Sequence, residues 1–219
     1  MGRRMLEFVS LNGPDHVGKT TQIRLLADRI PGVQPLGSVH EHDREAWDRV
    51  ARTDYARWWF EQSSTEELTR MLLTSHRRRS AARSPNRLAL LDRGFPMLVA
   101  VAAATCTVRD GLDTSRALRT VNGIAADMGS FPDEFSVLLL PARDVECSLR
   151  ITSSRAGRPW TGVYPEYQTA LHAVLVEQAR RGVYTHVIEC GDRTADAVHD
   201  EILAAVRNAM PGAWSAGSR

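Results

Sequence analysis

The chain has 219 residues, of which 43% are hydrophobic and 25% charged, and its formal net charge is +2. These values are typical of one globular domain with an apolar core, and so small a charge does not predict a nucleic-acid partner. The three cysteines are far apart, which predicts neither a zinc site nor disulfides. No apolar run approaches the ~20 residues of a transmembrane helix. We therefore expect a cytoplasmic protein with neither nucleic acid nor membrane as a partner.

The predicted elements alternate between strands and helices along the chain. A short buried strand at 5–11 precedes a glycine-containing loop and a helix at 20–30, which Pro31-Gly32 ends. Residues 36–43 form a polar loop or a poor strand, and 44–80 are mainly helical. The later predicted strands are 87–91, 135–140 and 184–189, and the later predicted helices are 96–104, about 113–127, 144–151, 167–180 and 195–210.

This alternation predicts an α/β fold with a doubly wound parallel sheet of about five strands, flanked by helices. The continuous apolar run at 135–140 favours a sheet that is covered on both faces. We expect a single domain over residues 1–210 with a small arginine-containing lid at about 150–163. Residues 211–219 have the composition of a disordered tail.

A phosphate-binding loop is the sharpest motif in the sequence. The pattern GxxxxGK[ST] occurs between the first strand and the first helix, which is the P-loop context. In such a loop the backbone N–H groups surround the phosphates of ATP, Lys19 reaches the β- and γ-phosphates, and the Thr20 hydroxyl ligates Mg²⁺. The predicted nucleotide-binding residues of this segment are Gly13, Pro14, Asp15, His16, Val17, Gly18, Lys19, Thr20 and Thr21. A surface loop that matches by chance is the alternative, and the flanking elements argue against it.

Two further signals fit phosphoryl transfer. The apolar strand at 87–91 delivers Asp92 at its carboxyl end, where a carboxylate that organises the metal belongs, although aspartate is also common in turns. Arg150, Arg155 and Arg158 lie in a polar segment that can close over the phosphates and stabilise the charge of the transition state. A solvated basic loop is the alternative for these arginines. We predict Lys19, Asp92, Arg155 and Arg158 as catalytic, and Thr20 and Asp92 as the metal site.

Together these motifs resemble the thymidylate kinase family of nucleoside monophosphate kinases. The resemblance covers nearly the whole chain and is sharp in the first block, Phe8 to Leu26, and at Asp92-Arg93. It implies that Asp15 contacts the sugar hydroxyl of the acceptor and that Arg93 touches phosphates. It also implies that Arg77, on the helix with Leu73, reads the acceptor base.

The resemblance further implies that Asp192 and Arg193 lie near the ATP adenine, that the lid supplies arginine because the P-loop has none, and that the protein is a homodimer. The chain departs from the family on the acceptor side. Leu36 to Asp43 replaces the family's loop after the second strand. The position of the base-stacking aromatic ring is taken by Leu73 or has no counterpart, and Gly94 replaces the tyrosine of Asp-Arg-Tyr.

Three functions follow as hypotheses. The first is Mg²⁺- and ATP-dependent phosphorylation of a nucleoside monophosphate, thymidylate or a related or modified nucleotide. The second is phosphorylation of a nucleoside or other small hydroxylated metabolite, with Asp15 as a candidate base. The third is a nucleotide-binding switch with slow turnover. His40, Glu41, His42 and Asp43 are better explained as a polar loop than as a metal site, and Trp58, Trp59 and Phe60 better as core than as pocket lining.

Overall fold

A five-stranded parallel sheet forms the centre of the computed structural model, which describes residues 6–52, 54–157 and 159–210. The strands lie in the order β2-β3-β1-β4-β5. Their bounds are β1 Phe8–Asn12, β2 Gln34–Pro35, β3 Ala89–Asp92, β4 Phe135–Leu140 and β5 His186–Glu189. The predicted fold class and strand number are thus confirmed, although β2 precedes the segment 36–43 that we considered for a poor strand.

Helices cover both faces of this sheet. The α-helices in the described ranges are α1 Lys19–Arg29, α2 Arg44–Ala51, α3 Tyr55–Arg57, α4 Thr65–Ala81, α5 Phe95–Asp110, α6 Thr114–Asp127, α7 Val145–Arg155, α8 Tyr164–Arg180 and α9 Ala195–Ala209. A 3-10 turn at Val39–His42 precedes α2, and a π-helical turn at Trp58–Gln62 continues α3.

The side chains of β4 show why the sheet needs both layers. Leu138 and Leu140 belong to a core shared with α4, α5, α6 and α8, whereas Val137 and Leu139 belong to a second core shared with α1 and α9. Successive side chains of a strand point to opposite faces, so an unbroken apolar run is stable only between two helical layers.

The strand order fixes where the functional segments meet. β1 is central and pairs in parallel with both β3 and β4, with Leu11 opposite Asp92 on one side and Val137 on the other. The carboxyl ends of these strands therefore lie at one edge of the sheet. Ligands of open parallel sheets bind at this edge.

The apolar helix α5 belongs to the core of its own chain. Every residue from Pro96 to Cys106 is buried, and the helix packs against α4, α6 and α8. A helix as apolar as this one can lie in a core or at an interface, and these contacts favour the core. The homodimer stays a prediction.

The structure corrects two predicted boundaries. The region 44–80 is divided into several helices because Asp54 and Ser64 cap new ones, their side chains accepting the backbone N–H groups of Arg57 and Glu67. The polar segment from Thr152 onward, which was predicted as a loop, is helical as far as Arg155. It forms the last turn of α7, the helix that Asp144 caps at its amino end. The predicted tail, 211–219, lies outside the described residues. No helix in the described ranges is long and apolar enough to cross a membrane.

Candidate functional site

The P-loop backbone needs glycine at two positions. Gly13 and Gly18 have φ values of +136° and +105°, which L side chains rarely adopt. A Cβ atom at Gly13 would also lie 2.2 Å from the Leu139 carbonyl oxygen of β4. His16 adopts φ +63° as well, while its side chain is exposed. The loop therefore keeps its curvature through backbone geometry that the two motif glycines permit.

Helix α1 directs its amino end toward the same loop. Gly18 is its N-cap and offers no capping side chain, and the first turn carries no acidic residue. The first N–H groups of a helix have no partner within it, and the helix dipole makes this end attractive to anions. A phosphate is the ligand that such an end suits.

Lys19 is the only lysine in the chain, which otherwise uses arginine. Its ammonium group is buried and donates a hydrogen bond of 2.8 Å to the Pro14 carbonyl oxygen within the loop. Burial, together with the nearby Arg93, lowers the pKa of Lys19 to about 8 against the opposing charges of Asp15 and Asp92. A polyphosphate bound in the loop would favour the charged form of Lys19, so the loop suits an anionic ligand.

Asp92 and Thr20 form the candidate magnesium site. The Thr20 hydroxyl donates to Asp92 Oδ2 over 3.1 Å. The other oxygen, Oδ1, is buried, accepts no hydrogen bond from the described residues and lies 3.9 Å from Arg93 Nη1. Mg²⁺ prefers hard oxygen ligands and keeps water and phosphate in its shell, so one hydroxyl and one free carboxylate oxygen fit it.

Asp15, which the resemblance assigns to the acceptor, is held between two partners. It forms an ion pair with Arg93 and accepts a hydrogen bond of 2.6 Å from the Tyr164 hydroxyl. Burial would raise the pKa of Asp15, but the charges of Arg93 and Lys19 and the Tyr164 hydroxyl outweigh it and leave the pKa below its ordinary value. Asp15 is therefore ionised at neutral pH.

Neutral polar rings surround this pair. Tyr55, Tyr164 and Tyr167 and the imidazole of His40 all interact electrostatically with Arg93. His40 Nε2 and the Tyr55 hydroxyl are 3.4 Å apart. Burial, reinforced by Arg93, lowers the pKa of His40, and burial raises the pKa of Tyr55. The rings are thus uncharged at pH 7.

The polar loop after β2 does not gather its side chains around one point. His40 turns toward Tyr55, while His42 Nε2 lies 2.5 Å from the Leu36 carbonyl oxygen. Asp43 instead pairs with Arg78. The three groups diverge, which agrees with a polar loop rather than a shared metal site. The indole of Trp59 is buried and donates to Thr105 within the core, in agreement with core packing.

A buried arginine supports the turn after β3. Arg79 is fully buried, and its guanidinium donates to the carbonyl oxygens of Gly37 at 3.2 Å and Asp92 at 2.9 Å, and to that of Arg93. It also lies 3.0 Å from His76 Nδ1. Arg93 has φ +64°, a conformation that costs a non-glycine residue free energy. Arg79 therefore stabilises the strained turn that presents Asp92 and Arg93.

Gly94 is required by close packing beneath this turn. Its N–H donates to Asn12 Oδ1 over 2.8 Å. A Cβ atom there would lie 2.1 Å from Glu134 Oε1 and 2.5 Å from the Ser10 side chain. The family tyrosine that the resemblance places at this position would not fit, which explains the departure.

We expect Gly94→Ala to lower the free energy of unfolding by about 1–3 kcal/mol, because overpacking displaces Ser10 and Glu134. Chemical denaturation of both proteins measures the difference. Gly123→Ala is the matched control: Gly123 lies in α6, a Cβ atom there meets nothing within 4 Å, and the change should be neutral or stabilising. Equal stability of Gly94→Ala and the wild type would contradict the close packing.

We expect the free energy of unfolding to depend on pH because of Glu134. Burial raises its pKa to about 7, although Ser10 and the Phe95 backbone hydrogen-bond to it. The folded protein then holds a proton that the unfolded chain, with a pKa near 4.5, releases. The contribution of Glu134 to the free energy of unfolding is at its maximum below pH 4.5. It decreases as the pH rises to about 7, by about 1 kcal/mol per pH unit. Denaturation at pH 5 and pH 8 should show this fall, and Glu134→Gln should remove it. Glu146→Gln, at an exposed position, is the control, and an identical pH profile in all three proteins would exclude Glu134 as the cause.

Two predicted acceptor residues lie elsewhere. Arg77 donates to the carbonyl oxygens of Met128 and Ser130 and lies 4.5 Å over the Phe131 ring. It lines a groove with Phe8 at the amino end of β1, the edge of the sheet opposite the P-loop. Leu73 is fully buried in the core. The structure therefore does not bring these two residues to the Asp15–Arg93 pair, and acceptor binding by them stays a prediction.

The predicted lid and adenine residues within the described ranges lie near one cleft. A cleft of about 430 Å³ is lined by Arg150 of α7 and by the loop after β5, including Asp192 and Arg193. Arg155 Nη2 lies 3.5 Å from the Gly191 carbonyl oxygen. Arg193 is held by Glu201 at 2.7 Å and by the Ala197 carbonyl oxygen. Arg158 lies outside the described residues.

Sequence reasoning missed several residues of the site. Three separate helices bring side chains to the Asp15–Arg93 pair or to the turn after β3. Tyr55 interacts electrostatically with Arg93, Tyr164 donates to Asp15, and Arg79 donates to the Arg93 carbonyl oxygen. No local motif marks them. The one sequence feature that could have pointed to any of them is the run of three successive arginines that contains Arg79.

The fold is similar to that of several solved nucleotide kinases. The thymidylate kinase from Candida albicans matches with a TM-score of 0.62 and 13% identity over 93% of this chain and 92% of that one. Deoxyadenosine kinase from M. mycoides matches with a TM-score of 0.60 and 13% identity over 92% and 99%. Thymidylate kinase from Ehrlichia chaffeensis matches with a TM-score of 0.60 and 12% identity over 93% of this chain and 99% of that one. No family model matches the chain, and no curated protein matches its sequence. The chain thus has a thymidylate kinase-like fold.

Proposed function

We propose that the protein is a Mg²⁺- and ATP-dependent kinase whose acceptor is a nucleoside or nucleotide. The observation that carries this proposal is the meeting of the P-loop, with its buried Lys19, and the Thr20–Asp92 pair at one edge of the sheet. The structural neighbours, two thymidylate kinases and a deoxyadenosine kinase, support it.

Each part of the site has a role in such a reaction. The P-loop N–H groups and Lys19 would hold the β- and γ-phosphates, and Thr20 and Asp92 would hold Mg²⁺, which supplies charge neutralisation to those phosphates. Arg150 and Arg155 lie where they can approach the donor from the lid. Catalysis would then consist of positioning and electrostatic stabilisation.

The acceptor lies on the other side of the P-loop, beside Asp15 and Arg93. The sequence resemblance favours a monophosphate such as thymidylate, whereas the arrangement of charges favours an acceptor without phosphate. The cytoplasmic location, the homodimer and the absence of nucleic-acid and membrane partners remain predictions.

The test is ADP formation from ATP and Mg²⁺ with a panel of nucleosides and their 5′-monophosphates. We expect turnover that depends on at least one acceptor and is lost in Lys19→Ala. Intact ATP binding without any stimulated turnover would instead support a slow nucleotide-binding switch.

A further inference from the structure

Charge is unevenly distributed between the two sides of the P-loop. The donor side has Lys19, the amino end of α1, and Arg150 and Arg155 on α7. The acceptor side has Arg93, whose guanidinium is paired with Asp15. A phosphate group brings about two negative charges at neutral pH and requires cations that are free to meet it.

The nearby cations are already engaged. Two described cations, Lys19 and Arg79, lie close enough to Arg93 to interact with it electrostatically. Lys19 is bonded to the P-loop carbonyl of Pro14 and is needed by the donor phosphates. Arg79 is fully buried and bound to carbonyl oxygens of the turn. In the described part of the chain, this leaves Arg93 with its charge neutralised by Asp15.

The surrounding groups suit hydroxyls and a flat ring instead. The loop that approaches this side, residues 36–43, contains neither lysine nor arginine. It contributes His40, beside the Tyr55 hydroxyl, and α8 contributes the Tyr164 hydroxyl. Carboxylate, phenol and imidazole groups hydrogen-bond to uncharged hydroxyl and amide groups, and aromatic rings stack on bases.

We propose that the acceptor is an uncharged hydroxylated molecule of the nucleoside class, bound through its hydroxyl groups by Asp15 and the tyrosines, and not a monophosphate. This rests on the proposed kinase function. In the reaction the acceptor hydroxyl oxygen forms a bond to the γ-phosphorus of ATP, and the bond from that phosphorus to the β,γ-bridging oxygen breaks, so that ADP leaves. The hydroxyl proton passes to the Asp15 carboxylate and then to solvent.

The first experiment compares each nucleoside with its own 5′-monophosphate, using thymidine, uridine, cytidine, deoxyadenosine and deoxyguanosine. We expect kcat/KM to be at least about tenfold higher for the preferred nucleoside, since a phosphate without free cations is left uncompensated. A monophosphate that is the better substrate would overturn the inference while leaving the kinase function intact.

Two variants test the charge argument directly. His40→Arg places a cation beside Arg93 and should lower the nucleoside-to-monophosphate ratio of kcat/KM by about tenfold. Asp15→Asn frees the charge of Arg93 and should lower the same ratio, since it weakens hydroxyl binding and strengthens phosphate binding. Asn122→Arg adds the same charge on the exposed face of α6 and should leave the ratio unchanged. Ratios that do not move in either pocket variant would overturn the inference.

Binding separates this inference from the proposed function. Calorimetric titration of the protein, loaded with Mg²⁺ and a non-hydrolysable ATP analogue, with the same nucleosides and monophosphates needs no turnover. Tighter binding of a nucleoside than of its monophosphate supports the inference. Binding of the ATP analogue with no nucleoside bound would overturn it, whereas failure of the protein to bind ATP at all would overturn the kinase function.

Discussion

Lys19→Ala should lower kcat by about 10²–10³-fold, because a preorganised group that stabilises charge in the transition state is lost. The side chain is buried and bonded to the Pro14 carbonyl, so its removal leaves a small polar void within the loop. Steady-state ADP formation with the preferred acceptor measures the loss. Arg49→Ala, which removes one exposed cation from α2, is the control and should retain full activity.

The single lysine allows a chemical test of the same role. An amine-directed reagent such as pyridoxal phosphate with borohydride can modify only the Lys19 side chain and the chain's α-amino group, and peptide mapping distinguishes the two. Since the pKa of Lys19 is lowered to about 8, its labelling should rise between pH 7 and pH 9. ATP with Mg²⁺ should suppress it. Labelling of Lys19 that ATP leaves unchanged would show that the nucleotide does not reach this loop.

Asp92→Asn should lower activity by about 10–100-fold at low Mg²⁺, with partial recovery at high Mg²⁺, because the amide is a weaker ligand of nearly the same shape. Asp92 Oδ1 is buried and accepts no hydrogen bond from the described residues. The substitution should therefore weaken metal binding more than it lowers the stability of the fold. ADP formation across a Mg²⁺ titration measures the apparent metal affinity. Chelation of Mg²⁺ should abolish activity in the wild type.

The control for this substitution is Asp28→Asn on the exposed face of α1. It changes the same charge without touching the site and should leave the Mg²⁺ dependence as it is. An Asp92→Asn protein with unchanged apparent affinity for Mg²⁺ would exclude Asp92 from the metal site. Thermal unfolding of both variants distinguishes loss of metal from loss of structure.

Much of the P-loop region could be predicted from the sequence because its determinants are local. Gly13, Gly18 and Lys19 lie within one loop between a strand and a helix, and the required φ angles belong to the glycines themselves. Asp92 was predicted from its place at the end of an apolar strand. The spacing of apolar residues also predicted most helices and strands. A helix buried on one face, or a strand buried on both, has a regular pattern of apolar residues in the sequence.

The pocket around the Asp15–Arg93 pair could not be predicted in the same way. Arg77 was assigned to it from the resemblance, yet its guanidinium binds carbonyl oxygens near the opposite edge of the sheet. A helical arginine looks the same in sequence whether it faces solvent, a pocket or the core. Which face of α4 meets the pocket depends on its packing against α5 and α6.

The sequence by itself determined the fold class, the P-loop and the carboxylate at the end of β3, because short-range geometry and burial specify each of them. The tertiary structure decided which side chains surround the Asp15–Arg93 pair. Tyr164 reaches Asp15 across 149 residues of chain, and Arg93 reaches it across 78. Such contacts follow from the order of the strands and the packing of helices, which bring distant segments together, and no local pattern records them.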